Sequence, residues 1–272
     1  MFFMSEQFEA FPYPVEARQA QASIPVPDEL SSAIGRVKSA LSGVGRIETK
    51  QAAQVNNQIV EVQSDGSGFV VDKNSQGCLV FTKEHVVHDL RYGAMKDGNG
   101  TIAGPAPGSK GPDVVVTLPE LGARKAQVLL ADESTDSAIL QIGSNDPAKE
   151  CKVVPMAQST QNVKLNDLSI VVGFDGKTGA LNGLTGVVGG TTTIAAIEQA
   201  GSHMDSAYVY PKFVKEQNLL AIYGAAAPAG YSGGPTFNPK GEVIGSSHAQ
   251  VGTGTLVTPI EIVRAELRRV QK

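Results

Sequence analysis

Apolar and polar positions alternate along most of this chain in short segments, a pattern that favours strands over helices. Between residues 44 and 258 the apolar segments are four to six residues long, and turn residues separate them, as at Asp65-Gly66 and Asp175-Gly176. The predicted strands include 58–62, 68–71, 78–82, 114–118, 127–131, 139–142, 169–174, 184–188 and 242–245. Many short strands with frequent turns predict a β-sandwich or β-barrels.

Two segments have helical periodicity instead. In the first, Asp28 is the predicted N-cap, Gly43 is the predicted end, and four apolar residues share one face: Leu30, Ile34, Val37 and Leu41. The second covers about residues 259–271 and ends the chain. The sequence therefore predicts a β-rich body with a helix at each end.

Residues 1–27 form an irregular arm before this body, with five Phe or Tyr residues in the first 13 positions. An exposed arm this aromatic needs a surface to cover, either on its own domain or on a neighbouring subunit. Beyond the arm, we predict a first half at 28–148 and a second half at 149–272.

Composition narrows the function classes. The 272 residues are 41% hydrophobic and 18% charged, as in a soluble globular protein. The net charge of −4 predicts neither a nucleic-acid nor a membrane-surface partner. No apolar segment reaches the length of a membrane span. The N-terminus lacks signal-peptide features, so we expect a cytoplasmic chain, or a periplasmic or secreted one if this is a mature form.

The cysteines Cys78 and Cys151 have no Cys-x-x-Cys neighbour, so a zinc or redox motif is not predicted. A disulfide between them is one alternative. Two buried thiols are the favoured interpretation. We expect neither a metal nor a cofactor.

The sharpest chemical signal is a serine among glycines, Gly230-Tyr231-Ser232-Gly233-Gly234-Pro235. Small neighbours let a substrate carbonyl approach the backbone, so N–H groups around Ser232 can stabilise a developing oxyanion. The predicted oxyanion hole comprises Gly230, Tyr231 and Ser232. A glycine-rich hairpin turn is the structural alternative.

A serine nucleophile needs a base, and the base needs an acceptor that orients it. His85 follows a predicted apolar strand, and Asp136 precedes another one. Asp132 is a rival acceptor, but of the two only Asp136 lies directly before the next apolar strand. Two further histidines are not interpreted as the base: His88 is expected to face solvent, and His203 to lie in a polar loop.

Three segments together resemble the trypsin-like peptidase superfamily, and most of all its bacterial HtrA branch. They are Thr82-Lys83-Glu84-His85-Val86-Val87, Asp132-Glu133-Ser134-Thr135-Asp136-Ser137-Ala138-Ile139-Leu140, and the glycine-rich segment around Ser232. Lesser matches at 66–71, 184–188 and 241–245 extend the resemblance over about residues 28–266. It implies an all-β fold of two six-stranded antiparallel β-barrels (chymotrypsin-like), with an N-terminal and a C-terminal helix.

By resemblance, the chain is a serine endopeptidase with the catalytic triad His85, Asp136 and Ser232, acting on polypeptides through an acyl-enzyme. Activity should rise between about pH 6 and 8 as the histidine becomes neutral. The implied substrate pocket is small and apolar, which favours aliphatic residues before the cut, and its residues are Ala226, Ala227, His248, Ala249 and Gln250. The family also suggests a homo-oligomer, a trimer formed through the aromatic arm.

Departures from the family pattern leave alternatives open. Tyr231 stands where Asn or Asp is usual, Ser137 replaces Leu or Ile, and His248 replaces a Ser or Thr near the triad aspartate. The chain ends before a PDZ domain of the kind that HtrA proteins usually carry. One alternative is an inactive binding module. A serine esterase is less favoured, because that fold needs an Asp and then a His after the serine.

Overall fold

The structure is a computed structural model, and it describes residues 27–90, 95–96, 102–201, 204–205 and 212–271. The aromatic arm before Pro27 and His203 lie outside the described residues, so the predictions for them, including the trimer, stay predictions. Within the described ranges, no helix is long and apolar enough to cross a membrane.

Strands dominate the described chain. The first eight are β1 (Val44–Val55), β2 (Gln58–Asn74), β3 (Gly77–Thr82), β4 (Met95–Lys96), β5 (Ile102–Pro105), β6 (Asp113–Leu118), β7 (Gly122–Asp132) and β8 (Ser137–Gly143). The others are β9 (Leu168–Phe174), β10 (Leu181–Thr192), β11 (Met204–Asp205), β12 (Leu219–Tyr223), β13 (Pro235–Phe237), β14 (Val243–Val251) and β15 (Gly254–Pro259).

The helices are short except at the two ends of the described chain. They are α1 (Pro27–Ala40), α2 (Glu84–Val87), α3 (Pro147–Glu150), α4 (Ile194–Gln199), α5 (Lys212–Lys215) and α6 (Ile260–Val270). A 3₁₀ turn, Leu41–Gly43, follows α1. The two predicted terminal helices therefore correspond to α1 and α6.

Twelve of the strands close into two antiparallel six-stranded barrels. In the first barrel the order is β1-β2-β3-β8-β7-β6, and β6 pairs back with β1. In the second it is β9-β10-β12-β15-β14-β13, and β13 pairs back with β9. The short β4, β5 and β11 extend these sheets at their margins. The predicted chymotrypsin-like fold with terminal helices is confirmed.

Alternate residues of each strand fill the barrel interiors. The first core contains Val80 and Leu140, and the second contains Val171 and Ile222. A third cluster lies between the barrels, where residues such as Phe69 and Phe237 pack with residues of α1 and α6. The helices thus bury their apolar faces against the junction of the two barrels, next to which the site is built.

One sequence prediction about a turn is wrong. Asp65-Gly66 was predicted to separate two strands, but β2 is continuous through it and pairs with β1 at this point. Gly66 is buried, and a Cβ there would lie 2.5 Å from Cγ1 of Val86 in α2. The glycine therefore permits close approach of the helix that carries His85 rather than a reversal of the chain.

The favoured interpretation of the cysteines is also wrong, because Cys78 and Cys151 form a disulfide with a Cα–Cα distance of 5.3 Å. Both residues are buried in the core of the first barrel. The bond joins β3, which leads to His85, to the segment between the barrels. Sequence spacing alone does not bring residues 73 positions apart together.

Loss of this disulfide is expected to lower the free energy of unfolding by about 2–4 kcal/mol, because the bond closes a long loop in the unfolded chain. The measurement is urea unfolding of the wild type, with and without reductant, and of the Cys78→Ala/Cys151→Ala variant. The variant serves as control, since reductant should leave its midpoint unchanged. Equal midpoints for reduced and oxidised wild type would contradict the assigned bond.

The segment between the barrels runs from the end of β8 to the start of β9, and the predicted boundary at 148/149 lies inside it. Its backbone bonds first to one barrel, from Val154 N–H to Val70 O at 2.9 Å, and then to the other, from Ala157 N–H to Val243 O at 3.0 Å. Cys151 still belongs to the first core, although it follows the predicted boundary. The boundary itself stays a prediction.

Candidate active site

His85 lies on α2, a single turn that begins two residues after β3 ends. Its backbone N–H donates to Oδ1 of Asp136 at 3.0 Å, and its ring Nδ1 lies 3.0 Å from both carboxylate oxygens. An ionised carboxylate only accepts hydrogen bonds, so Nδ1 carries the proton. The opposite ring nitrogen, Nε2, is then the one that can accept a proton, as a general base requires.

Asp136 ends the turn before β8 in a left-handed backbone conformation, with φ of +46°. Asp and Asn are among the few residue types that adopt this region readily. The side chain is 1% exposed. Burial raises its pKa, but the charge and hydrogen bond of His85, with a further contribution from Lys83, outweigh burial and hold the pKa well below its usual value. Asp136 is therefore an anion at neutral pH.

Ser232 lies on the turn before β13 and is partly exposed. Its Oγ lies 3.4 Å from the backbone oxygen of His248, its one hydrogen-bond partner among the described residues. At 3.4 Å this hydrogen bond is long, so little opposes rotation of the hydroxyl towards another acceptor. Long or missing catalytic hydrogen bonds are common in sites without substrate.

A close approach at Gly233 brings the serine turn against the segment that leads to His85. Gly233 has φ of +88°, and a Cβ there would lie 2.2 Å from Ser67 O and 2.4 Å from Oγ1 of Thr82. Any larger residue would push the two barrels apart at this point. The close approach of Ser67 and Thr82 thus explains why a glycine follows Ser232, which the sequence motif alone did not reveal.

Ser67 of β2 holds the serine turn from the first barrel. Its N–H donates to Ser232 O at 2.8 Å, and its Oγ donates to Gly230 O at 2.7 Å. The same hydroxyl accepts from Phe174 N–H at 2.8 Å, and Thr82 Oγ1 donates to Ser67 O at 2.8 Å. One buried serine therefore links both barrels to the backbone around the nucleophile. The sequence analysis missed it.

Two backbone donors remain for an oxyanion. The N–H groups of Gly230 and Ser232 make no hydrogen bond within the described part of the chain, whereas the N–H of Tyr231 donates to Pro228 O at 3.2 Å. Tyr231 is therefore not a donor, although it was predicted as part of the hole. Its ring is buried in the second core against Gly173. Tyr231, which stands where the family usually has Asn or Asp, is thus accommodated by packing of its ring in the second core.

His248 is buried on the other side of Asp136. Its Nδ1 lies 3.4 Å from Oδ2 of Asp136 and 3.4 Å from Oγ1 of Thr258. Burial lowers the pKa of His248 well below its usual value, and the charge of Lys83 lowers it further. The ring is therefore neutral at neutral pH. It contacts Asp136 and adds no charge to the predicted pocket.

The other predicted pocket residues are small or uncharged. Ala226, Ala249 and Gln250 are partly exposed, and Ala227 is buried, with its N–H donating to Oγ1 of Thr255 at 3.0 Å. The amide of Gln250 bonds to Gly252 O at 3.3 Å. These contacts fix the backbone on both sides of the serine turn. Their role as a substrate pocket stays a prediction.

His88 does not face solvent as predicted. It is 5% exposed, and its Nδ1 lies 2.6 Å from Oε1 of Glu84, one helical turn earlier. With Glu133 these two residues place potential metal ligands within 4.8 Å of one another, but Glu84 and His88 already bind each other.

The rival Asp132 lies outside the triad, because its carboxylate binds the N–H of Ser134 and the side chain of Arg269.

Lys83 is a functional candidate that the sequence analysis missed. The side chain is 0% exposed, and its ammonium donates to Oγ1 of Thr258. Burial lowers its pKa from 10.5 to about 8, although attraction to Asp136 opposes the shift. No pattern in the sequence indicates this burial, because a lysine beside a turn is normally solvated.

Comparisons with known proteins agree with this geometry. The trypsin-like peptidase domain family matches residues 66–245, a range that includes His85, Asp136 and Ser232. The chain is 30% identical over 188 residues to the putative serine protease HhoA of Synechocystis sp.. That match covers 69% of this chain and 37% of the relative, so the chain spans well under half the relative's length.

A solved structure shows the same fold. The inactive form of the Rv3671c protease aligns with a TM-score of 0.58 at 19% identity, over 92% of this chain and 98% of that one. The resemblance to trypsin-like peptidases drawn from the three motif segments is therefore confirmed. With the family match covering most of the chain and all three motif segments, this protein belongs to the trypsin-like serine peptidase family.

Proposed function

We propose that this protein is a serine endopeptidase that uses Ser232 as nucleophile, His85 as general base and acid, and Asp136 as the group that orients His85. The observation that carries the proposal is the double contact between His85 and Asp136, by ring and by backbone, at 3.0 Å. It fixes the tautomer that a serine nucleophile needs. The serine turn lies against the same segment of the first barrel.

The proposed reaction has two halves. Oγ of Ser232 attacks the carbonyl carbon of the scissile bond while Nε2 of His85 takes the hydroxyl proton. The oxyanion is stabilised by the N–H groups of Gly230 and Ser232. His85 then gives its proton to the amine that leaves, and an acyl-enzyme remains. Water, deprotonated by the same nitrogen, hydrolyses the ester and restores the serine.

Two alternatives are less well supported. A serine esterase of the α/β-hydrolase type requires a different fold, and its histidine would have to follow the serine. The histidine that does follow, His248, has its ring on Asp136 and not on Ser232. An inactive binding module would need a defective triad, yet the contact between His85 and Asp136 is intact.

The test is covalent labelling with a fluorophosphonate, which reacts with an activated serine. We expect one adduct per folded chain, at Ser232, and none after denaturation. The His85→Gln variant is the control that separates activation from exposure: it keeps Ser232 accessible but removes the base. Absence of an adduct in folded wild type would favour the binding module.

We propose substrates that are unfolded or flexible polypeptides, cut after Ala, Val, Leu, Ile or Thr. The predicted pocket contains no carboxylate, so it has no partner for a substrate Lys or Arg. An apolar wall desolvates an aliphatic side chain without leaving a polar group unpaired. Because one methylene changes discrimination by only about 1–3 kcal/mol, the preference should be graded.

The preference is measured by mapping cut sites in a denatured protein and by comparing kcat/KM for peptides that differ only before the cut. We expect peptides with Ala, Val or Leu there to be cleaved at least about tenfold faster than the matched Lys peptide, as expected for a site without a counter-charge. A map dominated by Lys and Arg would show that the pocket is assigned to the wrong residues.

A further inference from the structure

A buried polar chain lies behind Asp136, on the side away from His85's catalytic nitrogen. Lys83 precedes α2 in the first barrel, and its ammonium donates to Oγ1 of Thr258 on β15 of the second barrel. Thr258 Oγ1 in turn lies 3.4 Å from Nδ1 of His248, which lies 3.4 Å from Oδ2 of Asp136. The chain joins a lysine, a hydroxyl and an imidazole to the carboxylate of the triad.

Stability is a poor explanation for a lysine in this position. Taking an ammonium out of water costs several kcal/mol, and buried ion pairs are often replaced by apolar residues without loss of stability. Lys83 is completely buried and has one hydroxyl as its hydrogen-bond acceptor. Its burial therefore indicates a role that an apolar residue of the same size could not perform.

Two titratable groups interact with Lys83: Asp136 on the turn before β8, which attracts it, and His248 on β14, whose protonation it opposes. His85 on α2 binds the same Asp136 at 3.0 Å. His248 is neutral, so Asp136 is the anion among them. A cation behind Asp136 favours its carboxylate form. The same cation also opposes the uptake of a second positive charge by the nearby imidazole of His85.

We propose that Lys83 is a positioning residue of the triad, whose buried positive charge, held beside Asp136, extends the working range of His85 towards lower pH. The role in catalysis rests on the proposed peptidase function. The effect of Lys83 on His85 does not, because it is present with or without turnover.

The burial-lowered pKa of Lys83, about 8, is consistent with this role. A lysine is charged below its pKa, so Lys83 is a cation throughout the range of about pH 6 to 7 in which an ordinary histidine loses its proton. Its charge is lost as the pH rises through about 8. Lys83 therefore acts on the acid side of the activity profile.

The experiment follows the protonation of His85 by NMR in protein with labelled histidines, of which the chain has only four. The His85→Gln variant identifies the signal. In Lys83→Met and Lys83→Gln we expect the titration midpoint of His85 to move to higher pH by roughly one unit, because a nearby like charge has been removed. In the active enzyme, the acid limb of kcat/KM should move by the same amount.

The two substitutions separate charge from hydrogen bonding. Both remove the charge, but glutamine offers an amide donor to Thr258 and methionine does not. A midpoint shift in both variants supports a charge effect, and a shift in methionine alone overturns it. Lys73→Met is the matched control: its ammonium is exposed and bonds to Ala148 O, so the midpoint of His85 should stay within about 0.2 units of wild type, as expected for a solvated charge.

A further variant keeps the inference testable if neither Lys83 substitution folds. Thr258→Val removes the acceptor of the ammonium with little change of shape, so burial then favours the neutral lysine. The midpoint of His85 should again move to higher pH. An unchanged or lower titration midpoint of His85 in any folded variant at Lys83 or Thr258 overturns the proposal. If the wild type has no peptidase activity, the NMR titration still measures the effect of Lys83 on His85.

Discussion

Replacing Ser232 by alanine should reduce kcat/KM by on the order of 10⁴–10⁶-fold, because the acyl-enzyme cannot form without the hydroxyl. The fold should persist. The backbone contacts that hold the serine turn, Ser67 N–H to Ser232 O and Gly233 N–H to Ser247 O, do not involve the side chain. The measurement is peptide hydrolysis combined with thermal unfolding of the same preparation.

Ser246→Ala is the matched control for this variant. Ser246 lies on β14 in the same barrel, is fully buried, and its Oγ has no hydrogen-bond partner in the part of the chain that the structure describes. Removing that hydroxyl should change neither stability nor activity by a large factor. Near-normal turnover in Ser232→Ala would show that Ser232 is not the nucleophile.

Asp136→Asn should lower kcat on the order of 10⁴-fold at neutral pH. An amide can donate to Nδ1 of His85, which then favours the tautomer with its proton on Nε2, where the base has to accept. Asparagine also adopts the positive φ of this position, so the turn should be kept. The readout is the pH dependence of kcat, with folding followed by circular dichroism.

The control is Asp132→Asn, four residues earlier, at the end of β7. Its carboxylate is part of an exposed contact with Arg269 and Ser134, away from the imidazole. The substitution should cost little activity, although it removes the same charge from the same segment. Equal losses in the two variants would mean that position 136 acts through general electrostatics rather than through the orientation of His85.

The sequence predicted the parts of this protein that depend on local pattern. Strand alternation and turn residues indicated a β-sandwich or β-barrels, and the resemblance to the family then favoured the barrels. The spacing of apolar residues predicted both terminal helices. The motifs around His85 and Asp136 indicated a pair of residues that the structure brings to 3.0 Å. Sequence patterns within one segment predict a residue's position and role when these depend on that segment alone.

Contacts between distant segments were not predictable in the same way. Asp65-Gly66 is a turn-like dipeptide, but Gly66 pairs with Ile47 of β1 and packs against Val86 of α2. His88 and Lys83 are polar residues beside a turn, but the His88 carbonyl accepts from Gln51 of β1 and Lys83 donates to Thr258 of β15. The disulfide between Cys78 and Cys151 likewise depends on where the inter-barrel segment runs.

The hydrogen bonds of Ser67 have a mechanical consequence for the enzyme. Because this single residue of the first barrel holds the carbonyl groups of both Gly230 and Ser232, any rotation of one barrel relative to the other displaces the backbone of the proposed oxyanion hole. Under the proposed mechanism, rigid-body movement of the barrels should therefore reduce turnover. We expect peptide hydrolysis to report on the alignment of the barrels and to fail before either barrel loses its own core.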